Sequence, residues 1–251
     1  MYLRLGKFIL GIILLLSLSA CSSKNPSDEY TSKLEYKNET YYTLFHKNGL
    51  FKKSGTSETT ITDEKVSNFF IYNDHIFYLL DDPSSIQVVG LNGEDPQRVF
   101  QGEGHISFDD YSANQLLFLY SNTMPNSTTV YKLDLNTFEP TTVYSTSGFY
   151  LRAKQYNNKL FISSDKDETF EVEDGYAKKL FNGVVSFVLN DQIYVSFLGI
   201  FDKEDQHEYG VFNLDGSGKK YISEEQYDSK RKEYLNKLAD DGIITDVLTQ
   251  W

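Results

Sequence analysis

The stretch YNDHIFYLL (residues 72–80) places an asparagine in a polar turn and an unbroken apolar run directly after that turn. The phrase recurs as YKNETYYTLF (36–45), SANQLLFLY (112–120), YNNKLFIS (156–163) and LNDQIYVSF (189–197). Equivalent positions in the five copies are Thr40, Ile76, Leu116, Leu160 and Ile193, at steps of 36, 40, 44 and 33 residues. Self-similarity on this scale is typical of propeller blades.

Each copy also sits in the same local context. An apolar strand such as NFFIY (68–72) precedes the Asn turn, and an alternating strand such as YKLDL (131–135) follows the apolar run. The alternating strand indicates a half-buried position. Next come dipeptides that favour tight hairpins, followed by a short fourth strand. These dipeptides are Asn92–Gly93, Asp174–Gly175 and Asp215–Gly216, with Asn136–Thr137 as a weaker equivalent.

Four antiparallel strands per repeat predict an all-β fold, a β-propeller of four-stranded blades over residues 34–222. Five repeats are legible, and residues 21–251 have room for a sixth, so the expectation is five or six blades. A β-sandwich is the alternative, because it also combines many short strands with frequent turns. The internal repetition favours the propeller.

The C-terminal region, residues 223–251, is predicted to contain a helix and a closing segment. Ser223 and Gln226 have capping-box spacing, and Gly242 supplies a stop. Tyr227, Tyr234 and Leu238 are expected to form the apolar face. The last nine residues, IITDVLTQW, are expected to form a final strand or docking segment that helps to close the ring.

The first 20 residues have the organisation of a secretory signal peptide. Arg4 and Lys7 precede an apolar run over residues 8–18, and the small residues Ser19 and Ala20 follow that run. The run is too short to span a bilayer as a helix, which requires roughly 20 residues. The predicted result is export with removal of residues 1–20.

The residues at the end of this region, Leu18, Ser19, Ala20 and Cys21, resemble the bacterial lipobox, a signal-peptidase motif. The resemblance implies a diacylglycerol thioether on Cys21, which would hold the protein on the extracytoplasmic face of the cell membrane. Cys21 is the only cysteine, so a disulfide framework is excluded. Residues 21–33 are expected to form a lipidated tether, since their polar sequence has no periodicity.

The charge of the chain limits its partners. The formal net charge is −12, and removal of Arg4 and Lys7 with the signal makes it −14. An acidic surface repels phosphate backbones, so nucleic acid is not an expected partner.

No catalytic set and no cofactor site can be assembled from the sequence. His46, His75, His105 and His207 are scattered singly. Asp165 and Asp167 in SDKDET (164–169) offer a weak calcium-like pattern, and FDKEDQHE (201–208) is a second acidic stretch; both favour a solvated hairpin tip. Adjacent carboxylates such as Asp109–Asp110 are expected to point to opposite faces of a strand, which does not make a glycosidase pair.

The lipobox followed by YNDHIFYLL…VVGLNGEDPQRVF and LNDQIYVSF…GVFNLDGSGKKYI resembles propeller-repeat lipoproteins of Gram-positive bacteria, a family of unestablished function. Their repeats are similar to the propeller of low-density-lipoprotein receptors. No Tyr-Trp-Thr-Asp copy occurs here, and the only tryptophan, Trp251, lies outside the repeats. The resemblance implies a fold and a location but no reaction.

These observations together predict a lipid-anchored extracytoplasmic module that binds or scaffolds an envelope protein, peptide or glycan, and that is more plausibly a binder than an enzyme. The alternative is an envelope hydrolase whose carboxylates gather from several blades at the central channel.

Overall fold

A computed structural model describes residues 30–112, 114–197 and 208–245. Within these residues the chain forms five four-stranded antiparallel sheets, one helix and a short final strand. Apart from the short final strand, which joins the edge of the second sheet, the strands of each sheet are neighbours in the order in which they occur along the chain. The prediction of an all-β propeller of four-stranded blades with a C-terminal helix is confirmed, and the described residues contain five blades.

The blades are numbered in chain order, and their strands have the following bounds. Blade 1 comprises β1 (Tyr30–Tyr36), β2 (Glu39–Leu44), β3 (Lys47–Ser54) and β4 (Ser57–Thr62). Blade 2 comprises β5 (Val66–Tyr72), β6 (His75–Asp81), β7 (Ser84–Gly90) and β8 (Gln97–Gln101). Blade 3 comprises β9 (His105–Ser112), β10 (Gln115–Thr123), β11 (Asn126–Asp134) and β12 (Pro140–Ser147).

The last two blades are followed by the helix. Blade 4 comprises β13 (Tyr150–Tyr156), β14 (Lys159–Ser164), β15 (Glu168–Glu173) and β16 (Tyr176–Asn182). Blade 5 comprises β17 (Val184–Leu189), β18 (Gln192–Ser196), β19 (Tyr209–Asn213) and β20 (Lys220–Ile222). Helix α1 (Glu224–Asp240) and strand β21 (Ile243–Ile244) complete the described chain.

The recurring asparagines form the turn between the first and second strands of a blade. In four blades this turn has two residues, both with positive φ; the pairs are Lys37–Asn38, Asn73–Asp74, Asn157–Asn158 and Asn190–Asp191. Two-residue hairpins require positive φ at both positions, and Asn and Asp tolerate that conformation better than other non-glycine residues. The recurring phrase in the sequence therefore marks the same two-residue turn in each of these four blades.

The predicted tight hairpins between third and fourth strands are correct at one site only. Asp174 and Gly175 form a two-residue turn in which both have positive φ. The predictions at Asn92–Gly93, Asp215–Gly216 and Asn136–Thr137 are wrong, because each pair lies in a longer loop. Only the glycine of the first two pairs has positive φ, so neither pair meets the requirement of a two-residue turn.

The second strands β6, β10 and β18 carry long apolar runs because both faces of their blades are covered. Along β6, Phe77 and Leu79 pack into the cluster shared with blade 3, while Ile76, Tyr78 and Leu80 pack into the cluster shared with blade 1. Alternate residues of β10 and β18 are divided between two clusters in the same way. Burial on both faces explains why these strands lack the usual alternation of polar and apolar residues.

Hydrogen bonds between blades show that the first turns of neighbouring blades lie at the same end of the propeller. Lys37 in the first turn of blade 1 bonds Asp74 in the first turn of blade 2, with Nζ–Oδ1 2.6 Å. Tyr156 at the end of β13 accepts a bond from the backbone N–H of Asp191 in the first turn of blade 5. We call the end that carries these turns the turn face, and the opposite end, where the first strand of each blade begins, the start face.

Every first strand contains a β-bulge. In each pairing of first and second strands, one residue of the first strand has no partner in the register: Thr31, Ser67, Asp109, Leu151 and Ser186. A bulge bends its strand and increases the local twist. The bulge therefore curves each innermost strand, near its beginning in β1, β5 and β13 and nearer the turn face in β9 and β17.

Helix α1 covers the face of blade 5 that lies opposite blade 4. Its capping box is formed as predicted, since Ser223 and Gln226 each bond the backbone of the other. Tyr234 stacks on Phe187 of β17 with ring centroids 5.4 Å apart, and Tyr227 stacks on Tyr209 of β19 at 4.1 Å. Strand β21 then pairs with β5 of blade 2. The C-terminal region therefore connects the last blade to the second.

The start of the described chain differs from the predicted tether. Strand β1 begins at Tyr30, so residues 30–33, which were assigned to the tether, are the first half of that strand. Thr43 lies opposite Ser32 in β2, and this pairing outweighs the polar composition of the segment. The predicted signal peptide, the rest of the tether and residues 246–251 lie outside the described residues. Within the described ranges, no helix combines the length and apolarity needed to cross a bilayer.

We predict that Leu238→Ala lowers the free energy of unfolding by about 2–5 kcal/mol, because it leaves a cavity between α1 and the blades. Leu238 is 3% exposed and belongs to the cluster that joins α1 to blades 2, 3 and 5. The measurement is urea unfolding followed by circular dichroism. The matched control is Asn236→Ala on the exposed side of the same helix; equal losses in both variants would contradict the assigned packing.

Candidate functional site

Four charged side chains are gathered where the first strands of blades 3 and 4 meet. Asp109 and Asp110 come from β9, and Arg152 and Lys154 come from β13. The side chain of Asp109 is fully buried and that of Lys154 is 2% exposed. We call these four residues the charge cluster. Charged groups are almost never buried without partners, so their contacts determine what the cluster can do.

Asp109 is held from three sides. Nη1 of Arg152 lies 3.1 Å from Oδ1 of Asp109, and the hydroxyl of Ser107 donates to Oδ2 at 3.1 Å. Lys154 donates from Nζ to the backbone carbonyl of Asp109. Both oxygens of this carboxylate are thus engaged within the protein.

Asp110 connects the same cluster to the C-terminal helix. Its Oδ1 accepts a hydrogen bond from the hydroxyl of Tyr234 at 2.6 Å, and its Oδ2 accepts one from the backbone N–H of Gln155 at 2.8 Å. Nζ of Lys154 lies 4.0 Å from Oδ1 of Asp110. A single carboxylate therefore joins blade 3, blade 4 and α1.

The bulge at Asp109 explains how two adjacent carboxylates can both contact the neighbouring strand β13. We expected such a pair to point to opposite faces, which holds for a regular strand. Asp109 is the residue of β9 without a partner in β10, and the bulge interrupts the alternation. Both carboxylates consequently contact β13, and the expectation of opposite faces is wrong at this site.

Burial perturbs the ionisation of the cluster. Desolvation raises the pKa of Asp109 and that of Asp110, while the nearby positive charges act in the opposite direction. Desolvation also lowers the pKa of Lys154. The pKa of Tyr234 is raised well above its usual value, first by burial and then by the negative charge of Asp110, so its hydroxyl remains a donor.

A cavity of about 390 Å³ opens on the start face next to the charge cluster. The first strands of blades 2, 3 and 4 all contribute to its wall, so the cavity lies where these three blades meet. Its polar lining includes Asn68, His105, Ser107, Ser121 and Arg152. The Oδ1 of Asn68 is buried and receives no hydrogen bond from any described residue. The size is in the range of small-ligand pockets.

The apolar part of this wall comes from the same strand ends. Leu79, Ile106, Phe108, Phe149 and Tyr150 supply aliphatic and aromatic surface. An apolar wall with a few fixed polar groups is the usual composition of a ligand pocket. A smaller cavity of about 200 Å³ lies on the other side of the cluster, between α1 and the ends of β9 and β13.

Asp109 and Asp110 do not form a hydrolase pair. Asp109 and Asp110 are bonded to cations and to protein N–H and O–H groups, whereas glycosidase carboxylates must face each other across a substrate. Asp165 and Asp167, the weak metal candidates, lie in the turn between β14 and β15. Among the described residues, no group of three His, Cys, Asp or Glu side chains is placed to hold a metal ion.

The lipidation site cannot be compared with the structure. Leu18, Ser19, Ala20 and Cys21 lie outside the described residues. The lipobox stays a prediction from the sequence.

Sequence reasoning missed the charge cluster, although a signal for it was present. The predicted strand FYLRA (149–153) contains Arg152, and Lys154 follows it directly. Two cations in and directly after a predicted strand called for acidic partners if that strand is buried. The identity of those partners could not be deduced, because Asp109 is 43 residues from Arg152 and Tyr234 is 124 residues from Asp110.

Comparisons with known proteins support the fold. No protein-family model matches this chain, and no curated protein matches its sequence. The β-propeller domain of the trilobed protease from Pyrococcus furiosus is similar in structure, with a TM-score of 0.58, 12% identity, and coverage of 77% of this chain and 71% of that domain.

Two further solved structures are similar at the same level. A chain from a nidogen/laminin complex has a TM-score of 0.52 and 11% identity, with 78% of this chain and 81% of that chain covered. A candidate TolB from Agrobacterium tumefaciens has a TM-score of 0.51 and 10% identity, with 77% and 80% covered. At such identities the likeness establishes the propeller fold and nothing about function.

We predict that Lys154→Met destabilises the protein by about 3–5 kcal/mol, the usual loss when one partner of a buried charged group is removed. The double variant Asp110→Asn/Lys154→Met removes one charge of each sign and should be less destabilised than Lys154→Met alone. Urea unfolding of the three proteins gives the comparison. A loss below about 1 kcal/mol for Lys154→Met would show that the cluster carries no buried ion pairing.

Proposed function

We propose that this protein is a lipid-anchored binding module on the extracytoplasmic face of the cell membrane. In this proposal residues 1–20 are removed, Cys21 carries the lipid, and the propeller binds an envelope protein, peptide or glycan. The sequence Leu18-Ser19-Ala20-Cys21 after an apolar run supports the anchor. The propeller fold of the described residues supports a binding module, because strands from three blades form the wall of one cavity.

The start-face cavity is the observation that carries the binding proposal. Its wall comes from three different blades, so its shape is fixed by the packing of the whole fold. The buried Oδ1 of Asn68 is an acceptor without a donor from the described chain. Buried polar atoms normally have partners, and peptides and glycans both bring N–H or O–H donors.

Charge and composition narrow the class of partner. With a net charge of −14 after removal of the signal, the chain disfavours nucleic acid. The charge of Arg152 at the cavity is offset by Asp109 behind it, so the pocket does not present an isolated cation to an anion. One of the similar solved structures is a nidogen/laminin complex, which is in keeping with a protein partner.

The anchor is tested by Cys21→Ala. We expect this variant to leave the membrane fraction or to accumulate with its signal uncleaved, because the acyl chains supply the membrane affinity. Cell fractionation and intact mass measurement detect both outcomes. Ser22→Ala, next to the acceptor site, should behave as the unmodified protein. Normal cleavage with full membrane retention of Cys21→Ala would refute the lipid anchor.

Binding at the cavity is tested by Ser121→Trp. Ser121 lines the cavity, so an indole there should fill part of it and exclude the ligand. In-cell crosslinking, purification and mass spectrometry should recover a specific partner with the unmodified protein and severalfold less with the variant. The control is Ser57→Trp, an exposed position at the start of β4 on the turn face. Equal recovery from both variants would place the binding site elsewhere.

A further inference from the structure

We propose that the start-face cavity faces the membrane and that it binds a basic, membrane-proximal segment of an integral membrane protein. The inference rests on the lipid anchor of the proposed function. It adds the orientation of the propeller and the kind of partner that can reach it.

The path of the chain determines which face lies near the anchor. Tyr30, the first residue of β1, lies opposite Leu44, the last residue of β2. The turn that follows, Phe45–His46, is therefore at the same end of blade 1 as the incoming chain. Contacts between Lys37 and Asp74 align the turn faces of blades 1 and 2, so their start faces are aligned too. The chain enters the propeller on the face where the cavity opens.

The anchor and this face are separated by a short stretch of chain. Eight residues, 22–29, lie between Cys21 and Tyr30. A fully extended chain covers at most 3.3–3.6 Å per residue, which limits the separation of Cys21 and Tyr30 to about 30 Å. A ligand of the cavity must then lie close to the bilayer.

The negative charge of the protein determines the sign of the charge expected on its partner. Among the described segments that connect strands on the start face, seven residues are Asp or Glu and two are Lys. The acidic residues are Asp63, Glu64, Asp82, Glu103, Asp165, Asp167 and Glu208. The described connecting segments of the turn face also contain seven Asp or Glu residues and two Lys residues, so charge alone does not select a face. An acidic surface attracts basic segments and repels anionic lipid headgroups.

Apolar contacts are also available on this face. Phe45 is 67% exposed and Met124 is 92% exposed, both in turns between second and third strands. They lie at the same end as the cavity, whose wall includes Phe149 and Tyr150. Exposed aromatic side chains and methionine are enriched in protein interfaces. Acidic loops around an apolar and hydrogen-bonding cavity suit a peptide segment better than a lipid surface.

The orientation is tested by fluorescence quenching of the full, lipidated protein. Because Cys21 is the only cysteine and its thiol is consumed by the lipid, each introduced cysteine is a unique labelling site. Phe45→Cys and Met124→Cys place a dye on the start face, and Tyr176→Cys, at a position that is 80% exposed, places it on the turn face. The vesicles contain phosphatidylglycerol, phosphatidylethanolamine and a headgroup-nitroxide lipid.

Quenching should be severalfold stronger at the two start-face positions than at Tyr176→Cys. Equal quenching, or stronger quenching at Tyr176→Cys, would overturn the proposed orientation. Loss of all three variants from the vesicles would instead refute the lipid anchor, which separates failure of the proposed function from failure of this inference.

The partner is tested in cells with a photoreactive phenylalanine analogue at the same three positions. A crosslink to an integral membrane protein is expected from positions 45 and 124, and severalfold less from position 176. Glu103→Lys combined with Asp165→Lys should reduce this crosslink severalfold, whereas Asp174→Lys on the turn face should not.

Other crosslinking results would contradict parts of this proposal. Crosslinks at positions 45 and 124 only to soluble proteins or to glycan, or no crosslink at all, would overturn the membrane-protein partner. An unchanged crosslink in the double lysine variant would overturn the basic character of the partner.

Discussion

Blades 2 to 5 of this propeller are each covered on both faces, and much of the rest of the structure follows from that constraint. The apolar runs of β6, β10 and β18 send alternate residues into two different clusters, so an uncovered blade would expose a row of large side chains. Blades 2, 3 and 4 are covered by their neighbours. Blade 5 is covered by α1, through Tyr227 and Tyr234 on one side of the helix. The helix substitutes for a blade because an amphipathic face can bury the same surface.

The charge cluster fixes the relative positions of the blades more strictly than apolar packing does. Apolar contacts between blades tolerate small shifts, whereas buried charges lose several kcal/mol when a partner moves away. Asp110 receives bonds from Gln155 of blade 4 and from Tyr234 of α1, so it fixes the positions of three elements relative to one another. Arg152 belongs both to this cluster and to the wall of the start-face cavity. The shape of the cavity therefore depends on the same contacts that hold α1 in place.

Local features of this fold could be predicted from the sequence, and features formed by distant residues could not. The Asn turns and the capping box of Ser223 depend on a few adjacent residues and were found correctly. The bulges depend on pairing with a second strand, and no residue type marks them, since Thr31, Asp109 and Leu151 all occupy that position. The partners in the charge cluster, the return of β21 to blade 2 and the cavity wall all join segments far apart in the chain.

The four-stranded meander also determines where a tethered propeller can bind. A blade with an even number of antiparallel strands returns the chain to the face from which it started, so every blade begins at the start face. A chain segment N-terminal to blade 1 then joins the propeller on that side, whatever the number of blades. The bulges of β5 and β13, at Ser67 and Leu151, also lie on that side and bend these strands where they form the cavity wall. Strand count, chain entry and cavity position are thus linked by topology, so an N-terminal lipid would orient this cavity toward the bilayer.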